Sequence, residues 1–494
     1  MAVHHTTVLQ KYAYFIALIM VVMTGQLGIS PSVGDEKKVP PSPGTVSASD
    51  QTQSKEPGRG FTDPPNVPSP IGPTWGASSS DESASQSYSL EDLISLACKH
   101  NPTLLQARLH INSQLGRAMQ AGLYPNPSLS YIGEQIGIDV PGNTDSPGEW
   151  QGAEIEQRIV TANKLKLSRN KYLQRAKIAE FLSVAQQYRV CNDVRVHFFK
   201  ALAAADIIKL REELLKNARD DAVTTREMYN LGQATFAEVH QSNARLQQHR
   251  LALLNAQNNQ RQHLLELMSL VGVRLSNPKL EGSLEEIREP IEFEEAAALL
   301  LAQSPELLAA KAKLREDSIT VQRERVEWVP DLVLSAGSGY NYEARETTAA
   351  ARVSIEVPLF DRNQGTITQA EADYARQRNE IRRTELHLQK MLAQTYSRYL
   401  TALQAVQNYR DVILPEKREA YRFHLKSYQQ NRRNWSEVLK AYDDYTNSRV
   451  NYVHSQAEVR INEVLIDGFL LHGGLSTPGG PVPGGHIDSI PKPR

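Results

Sequence analysis

Cysteine is almost missing: Cys98 and Cys191 are the only two in 494 residues. Two thiols cannot make a disulfide framework or a cysteine-based zinc site, and each reads as a free buried thiol. An excess of charge is missing too. The 55 basic residues are balanced by 56 acidic ones, for a formal net charge of -1. That balance leaves no electrostatic footprint for nucleic acid. Enzyme motifs are absent as well: there is no His-Glu-x-x-His, no phosphate-binding loop and no Gly-x-Ser-x-Gly. No catalytic residue and no cofactor is therefore expected. The 13 histidines are scattered, with no convincing set of Glu and His at i, i+3 spacing for facing helices, so no metal ligands are expected either. Long apolar runs are also lacking. The one candidate, Tyr12 to Met23 behind Lys11, is short for a bilayer span and fits the apolar core of a secretory signal, expected over residues 1–29. Finally, proline does not occur from Gly148 to Asn277, so nothing there obliges a helix to break.

What the chain has instead is an internal duplication. Leu90-Glu91, Asn101-Pro102, Pro127 and Leu129 recur 203 residues later as Phe293-Glu294, Ser304-Pro305, Pro330 and Leu332. Glu154-Ile155-Glu156 corresponds to Ser354-Ile355-Glu356 at an offset of 200. Tyr229, Phe236, Glu238 and Val239 correspond to Tyr428, Trp435, Glu437 and Val438 at 199. The spacing change falls between Tyr131 and Glu154, where Pro141, Gly142, Pro147 and Gly148 mark a loop. The copies are assigned to residues 88–285 and 286–472. A Pro/Ser/Gly-rich leader at 30–87 and a similar tail at 473–494 are expected to be disordered.

Each copy reads as helix, strand, loop, strand and a very long helical stretch. The first helix is expected from Ser89, a plausible N-cap, to about Ala121, ended by Pro125 and Pro127. Val190 to Leu270 is dominated by strong helix formers. A helix from about Ala162 to Met228 would run ~100 Å at 1.5 Å per residue, a length at home in coiled-coil assemblies and periplasm-spanning ducts. The strands alternate with period two. Ala351, Val353, Ile355, Val357 and Leu359 interleave with Arg352, Ser354 and Glu356; Ala153, Ile155 and Ile159 interleave with Glu154, Glu156 and Arg158. Such a pattern fits a half-buried soluble strand, but a length of about ten residues also matches a tilted bilayer-spanning strand. Tyr131, Trp150, Tyr340 and Tyr342 then suit an interfacial aromatic belt. The membrane-facing set would be Ala153, Ile155, Ile159, Val353, Ile355 and Val357. Four strands cannot close a barrel around a lumen, and open edges are intolerable in lipid, so several chains must share one barrel.

The repeat, and above all Tyr229-Asn-Leu-Gly232-Gln-Ala-Thr-Phe236-Ala-Glu238-Val239 followed by Asn243-Ala244-Arg245, resembles the TolC-like outer-membrane efflux family over about Tyr88 to Leu471. Leu123-Tyr-Pro-Asn-Pro127 and Pro358-Leu-Phe-Asp-Arg-Asn-Gln-Gly365 look like the heavy-metal branch, the outer channels of cobalt–zinc–cadmium and copper–silver pumps. The resemblance implies a mainly α protein with a β-barrel part. Three chains would build a twelve-stranded barrel in the cell outer membrane and an α-barrel of long helical hairpins reaching into the periplasm. Expected partners are two further copies, outer-membrane lipid, a periplasmic adaptor and an inner-membrane efflux pump, with heavy-metal cations ahead of drugs as cargo.

By the same resemblance, Glu238, Tyr428, Arg433 and Glu437 are gate residues at the periplasmic tip. An acid, a guanidinium and a phenol in mutual reach can form a breakable charge-assisted network. Asn431 stands where the family's second tip carries glycine, and Lys440 where it can carry a second acid. Leu231, Gly232, Gln233, Asn431 and Arg432 are the expected adaptor contacts. The alternative reading is a soluble periplasmic coiled-coil or adaptor protein, although adaptors usually hold one such hairpin between β-rich half-domains.

Overall fold

The computed structural model describes residues 87–477 apart from 135–148, 277, 286–287, 289–291, 431 and 433. The expected signal segment, nearly all of the leader, the loop joining the first copy's two strands and the tail beyond residue 477 lie outside the described residues.

In the first copy, β1 (Ser87–Tyr88) leads to α1 (Leu90–His100), α2 (Pro102–Ala121), β2 (Ser128–Glu134), β3 (Trp150–Ile159), α3 (Lys164–Asn230) and α4 (Phe236–Val271). After β4 (Lys279–Leu280), which pairs with β1, the order repeats: α5 (Phe293–Gln303), α6 (Pro305–Arg325), β5 (Leu332–Asn341), β6 (Glu346–Ile355), α7 (Gln364–Asn408), α8 (Leu414–Gln429) and α9 (Trp435–Asp467).

The helix expected from Ser89 to Ala121 is two helices. Ser89 and Asp92 form a reciprocal capping box that starts α1. Asn101 then turns extended, as the residue before a proline is pushed to do. Its side chain accepts from the Thr103 N–H and donates to the Leu270 carbonyl, and Pro102 opens α2 where no N–H is needed. Ser304-Pro305 makes the equivalent break between α5 and α6, with Pro305 opening α6 but without a side-chain cap from Ser304.

Helix α3 has 67 residues, about 100 Å at 1.5 Å per residue. It is the shared wall of the molecule, packing against α2, α4, α6 and α9. Its counterpart in the second copy is interrupted: residues Tyr409–Ile413 widen into a π turn between α7 and α8. Pro415 sits just beyond and has no N–H to continue the ordinary ladder.

Two apolar cores flank α3 where the short helices lie. One gathers Leu93, Leu104, Val194, Phe198, Leu267 and Val271. The other gathers Leu300, Leu307, Leu392, Tyr399, Val406 and Val459. The chain's end is tied in beside them. Gly473 and Gly474 donate their N–H groups to Asp193, and the Gly474 carbonyl accepts from Thr103 and Gln186. Residues 473–476 therefore do not form the loose tail expected, because buried polar side chains of α2 and α3 need those backbone partners. Cys191 is half-buried, and burial first of all pushes its thiol up to about 11. Cys98 is exposed rather than buried.

Candidate functional site: sheet, junction and hairpin tips

The four long strands form one antiparallel sheet in the order β2-β3-β5-β6, with β2 and β6 as edges. Partners across an antiparallel ladder point to the same side, so the register sorts the residues into two faces. Leu129, Ile155, Ala336 and Ala351 are aligned, as are Ile159, Leu332 and Ile355. Tyr131, Ala153, Tyr340 and Val353 share that face. The other carries Glu154, Glu156, Arg158, Ser335 and Arg352. The structure thus brings Ala153, Ile155, Ile159, Val353 and Ile355 onto one apolar face. It leaves Val357 out, because β6 ends at Ile355 and the chain turns toward Pro358. Leu129 and Val353 are 76% and 67% exposed, so none of the described residues covers that face.

Trp150 departs from the expected belt. It lies on the polar face, over Gly152 and Gly339: a Cβ at either glycine would sit within 2.5 Å of indole atoms. Its ring N–H donates to Thr348 Oγ1 at 2.9 Å. Gly152 and Gly339 are the room this ring requires. Tyr340 and Tyr342 do pair edge-on, with centroids 5.0 Å apart.

Below the sheet, strand becomes helix through a tight swivel. Ala162 and Asn163 are both left-handed before α3, and Asn363 is left-handed before α7. Asp331, one residue ahead of β5, clasps the first swivel. It accepts from Arg158 at 2.7 Å, from the Thr161 N–H at 3.1 Å and from Lys164 at 2.9 Å. Asn363 is fixed by donating to Glu324. Leu123 to Pro127 joins α2 to β2, and Pro358 to Asn363 joins β6 to α7.

A charged cluster cements α3 to α6 nearby. Glu316, 1% exposed in its side chain, accepts from Arg175 at 3.0 Å and pairs with Lys313, which also meets Asp317 at 2.7 Å.

The far ends of the hairpins match each other. At α3–α4, Gly232 is left-handed at φ 75° and the Gln233 N–H closes onto the Met228 carbonyl at 2.8 Å. At α8–α9, the Arg432 N–H closes onto Ser427 at 3.0 Å. Tyr229 packs on Phe236 at one tip and Tyr428 on Trp435 at the other, with centroids 5.8 and 5.0 Å apart.

Leu231, Gly232, Gln233 and Arg432 are exposed at these ends; Asn431 and Arg433 lie outside the described residues. Glu238 caps α4. Its Oε2 accepts from the Thr235 N–H and hydroxyl, and these hydrogen bonds hold its carboxyl below the ordinary value. Glu437 lies 3.8 Å from His424. The structure therefore gathers Tyr428 and Glu437 at one tip and keeps Glu238 at the other.

Sequence reading missed several polar ties. Higher on the hairpins, Glu213 pairs with Arg449 at 2.9 Å, Arg211 bonds Asn447, and His249 faces Asp443. Asp221 pairs with Arg245 at 3.2 Å, and burial leaves its carboxyl above the ordinary value. His197, His263 and Glu266 also converge, although no such set was expected.

A single-layer sheet with apolar and charged faces, set on paired helices of up to 67 residues, is the architecture of an outer-membrane duct. The outer membrane efflux protein family model matches residues 93–273 and 296–468, one match per copy, and the chain belongs to that family. It is an outer-membrane channel protein that extends into the periplasm. It is similar to the cobalt-zinc-cadmium resistance protein CzcC of Cupriavidus metallidurans, 26% identical over 74% of this chain and 85% of that one. It also matches the alkaline protease secretion protein AprF of Pseudomonas aeruginosa, 24% identical over 40% of this chain and 44% of that protein. Among solved structures, CusC superposes with a TM-score of 0.64 at 16% identity, covering 78% of this chain and 92% of its own. VceC of Vibrio cholerae gives 0.64 at 18%, covering 78% and 96%.

Proposed function

We propose that three copies of this chain close one twelve-stranded barrel in the outer membrane and form the passive exit duct of a tripartite efflux system. The observation that carries this is the four-stranded sheet with open edges at β2 and β6 and an uncovered apolar face. In lipid every strand edge must be paired, and only neighbouring copies can supply the partners. Ala153, Ile155, Ile159, Val353 and Ile355 then meet lipid, while Glu154, Glu156, Arg158 and Arg352 line the lumen. Val357 meets the headgroup level below β6. Membrane fractionation, detergent extraction and mass determination test the reading. A detergent-dependent outer-membrane trimer is expected; a water-soluble monomer or dimer overturns it.

The tips receive a periplasmic adaptor and, through it, an inner-membrane pump. The adaptor contacts are Leu231, Gly232, Gln233, Asn431 and Arg432. No neighbouring atom lies within 4 Å of a Cβ added at Gly232. Gly232→Leu therefore costs about 1–2 kcal/mol of left-handed strain without a clash. Retained trimer with abolished efflux is expected in cells; surviving efflux removes the docking assignment.

The gate is built from Tyr428, Arg433 and Glu437 of one tip meeting Glu238 of an adjacent one. Arg433→Ala with Tyr428→Phe should raise single-channel conductance in planar bilayers. Unchanged conductance excludes the gate.

The cargo is a heavy-metal cation. The joints at Leu123 to Pro127 and Pro358 to Gly365, and the likeness to a cobalt-zinc-cadmium resistance protein along 85% of its length, support that choice. Loss of the chain should sensitise cells to cobalt, zinc or cadmium before drugs.

A further inference from the structure

His197 projects from α3 toward His263 and Glu266 on α4, and one donor atom from each lies within 4.8 Å of the others. His197 Nδ1 is 2.9 Å and His263 Nδ1 is 3.1 Å from the same carboxylate oxygen, Glu266 Oε2. The His197 contact is short but not aligned as a hydrogen bond, and that nitrogen is buried with no other partner. A buried polar atom left this way is costly. Burial also holds His197 below the ordinary imidazole value.

We propose that His197, His263 and Glu266 bind one divalent transition-metal cation that cross-links α3 to α4. Two imidazoles and a carboxylate with an open fourth position are the donor set of an open zinc site, and imidazole also suits cobalt, nickel and copper. The i, i+3 spacing of His263 and Glu266 sets both on one helical face. A tetrahedral site needs donors about 3.4 Å apart at metal–nitrogen distances near 2.1 Å. Two contacts are already this short, so modest side-chain rotation completes the geometry. The Gln262 side chain donates to the other Glu266 oxygen at 3.0 Å and orients the carboxylate. A cleft of about 310 Å³ between α3, α4 and α9, lined by Lys200, Arg211, His454 and Glu458 among others, reaches the site at His263. Lys200 and Asp193 act on His197 with opposite signs. The site stands whatever the duct carries, because it is a clip within the wall.

The test uses full-length protein in detergent, stripped with chelator and titrated with zinc chloride by calorimetry and with cobalt chloride by visible absorption. One zinc per chain and the intense ligand-field bands of low-coordinate cobalt are expected. His197→Gln, His263→Gln and Glu266→Gln should each weaken binding about tenfold or more. His110→Gln, at an exposed histidine of α2, should leave it unchanged. Zinc-edge X-ray absorption on the unmodified protein should show two imidazoles, and this readout decides the matter if a variant fails to fold. No zinc uptake up to about 1 mM, equal affinity in the three variants, or a shell without imidazole overturns the site.

Discussion

Glu316→Ala should lower the stability of the assembled protein by about 3–5 kcal/mol, the usual result of removing one partner from a buried ion pair. Glu316 is the shared acceptor of Arg175 and Lys313, and its side chain is 1% exposed while theirs are 17% and 18%. Solvent therefore cannot take over its role. Surface pairs such as Lys177–Glu180 or Arg422–Glu419, with both partners largely exposed, are worth at most about 1 kcal/mol and are negligible beside it. Differential scanning calorimetry of the detergent-solubilised protein reads the loss. The same physics gives an internal control. If the penalty is an uncompensated buried charge, combining Glu316→Leu with Arg175→Met, which leaves Lys313 paired with the buried Asp317, should recover much of the stability. A variant set in which the single change is harmless would show that α3 and α6 are held by their apolar contacts alone.

Asp331→Ala should loosen the step from sheet to helix by about 2–4 kcal/mol. Most of that comes from Lys164, whose side chain is 6% exposed, and little from Arg158, which is 61% exposed. Loss of the Thr161 N–H bond frees the backbone just where Ala162 and Asn163 must stay left-handed. The clasp is also pH-dependent. Burial raises the Asp331 carboxyl, but Lys164, the Thr161 N–H and Arg158 outweigh it and hold it below the ordinary value of 3.8. The unfolded chain thus takes up a proton more readily than the folded one. The stabilisation is complete above 3.8 and drains away as pH falls through the lower folded value. Thermal melts between pH 6 and pH 3 should show that acid loss in the parent protein and a flatter response in Asp331→Ala. Identical slopes would mean that Asp331 does not govern the swivel.

Much of the architecture is legible from spacing alone. The offset between Asn101-Pro102 and Ser304-Pro305 reflects a helix start that both copies share. The alternation through Ile155 and Ile355 reports two solvents, and pairing aligns those residues on one face with no further information. Gly232 is visible as a turn because only glycine takes the left-handed conformation there without strain. Trp150 was misread because an aromatic at a strand end looks the same in sequence on either face. Its face follows from pairing with Asn341 and from the glycines that receive the ring.

By itself the sequence determined the duplication, the long hairpins and the two-faced strands, because each is a local periodicity that repeats in the chain. Only the tertiary structure decided which charges meet. Helices rich in Ala, Gln, Glu and Arg have no strong apolar stripe to announce their buried side, so Glu316 and Asp317 read like solvated residues until α6 is laid against α3. Reflection about Gly232 carries His197 to position 267, next to Glu266, yet the turn alone does not say which faces look at each other. That choice is made by packing against α2, α6 and α9 around α3. It follows that the lone His197 and the His263–Glu266 pair become one site only in the folded hairpin.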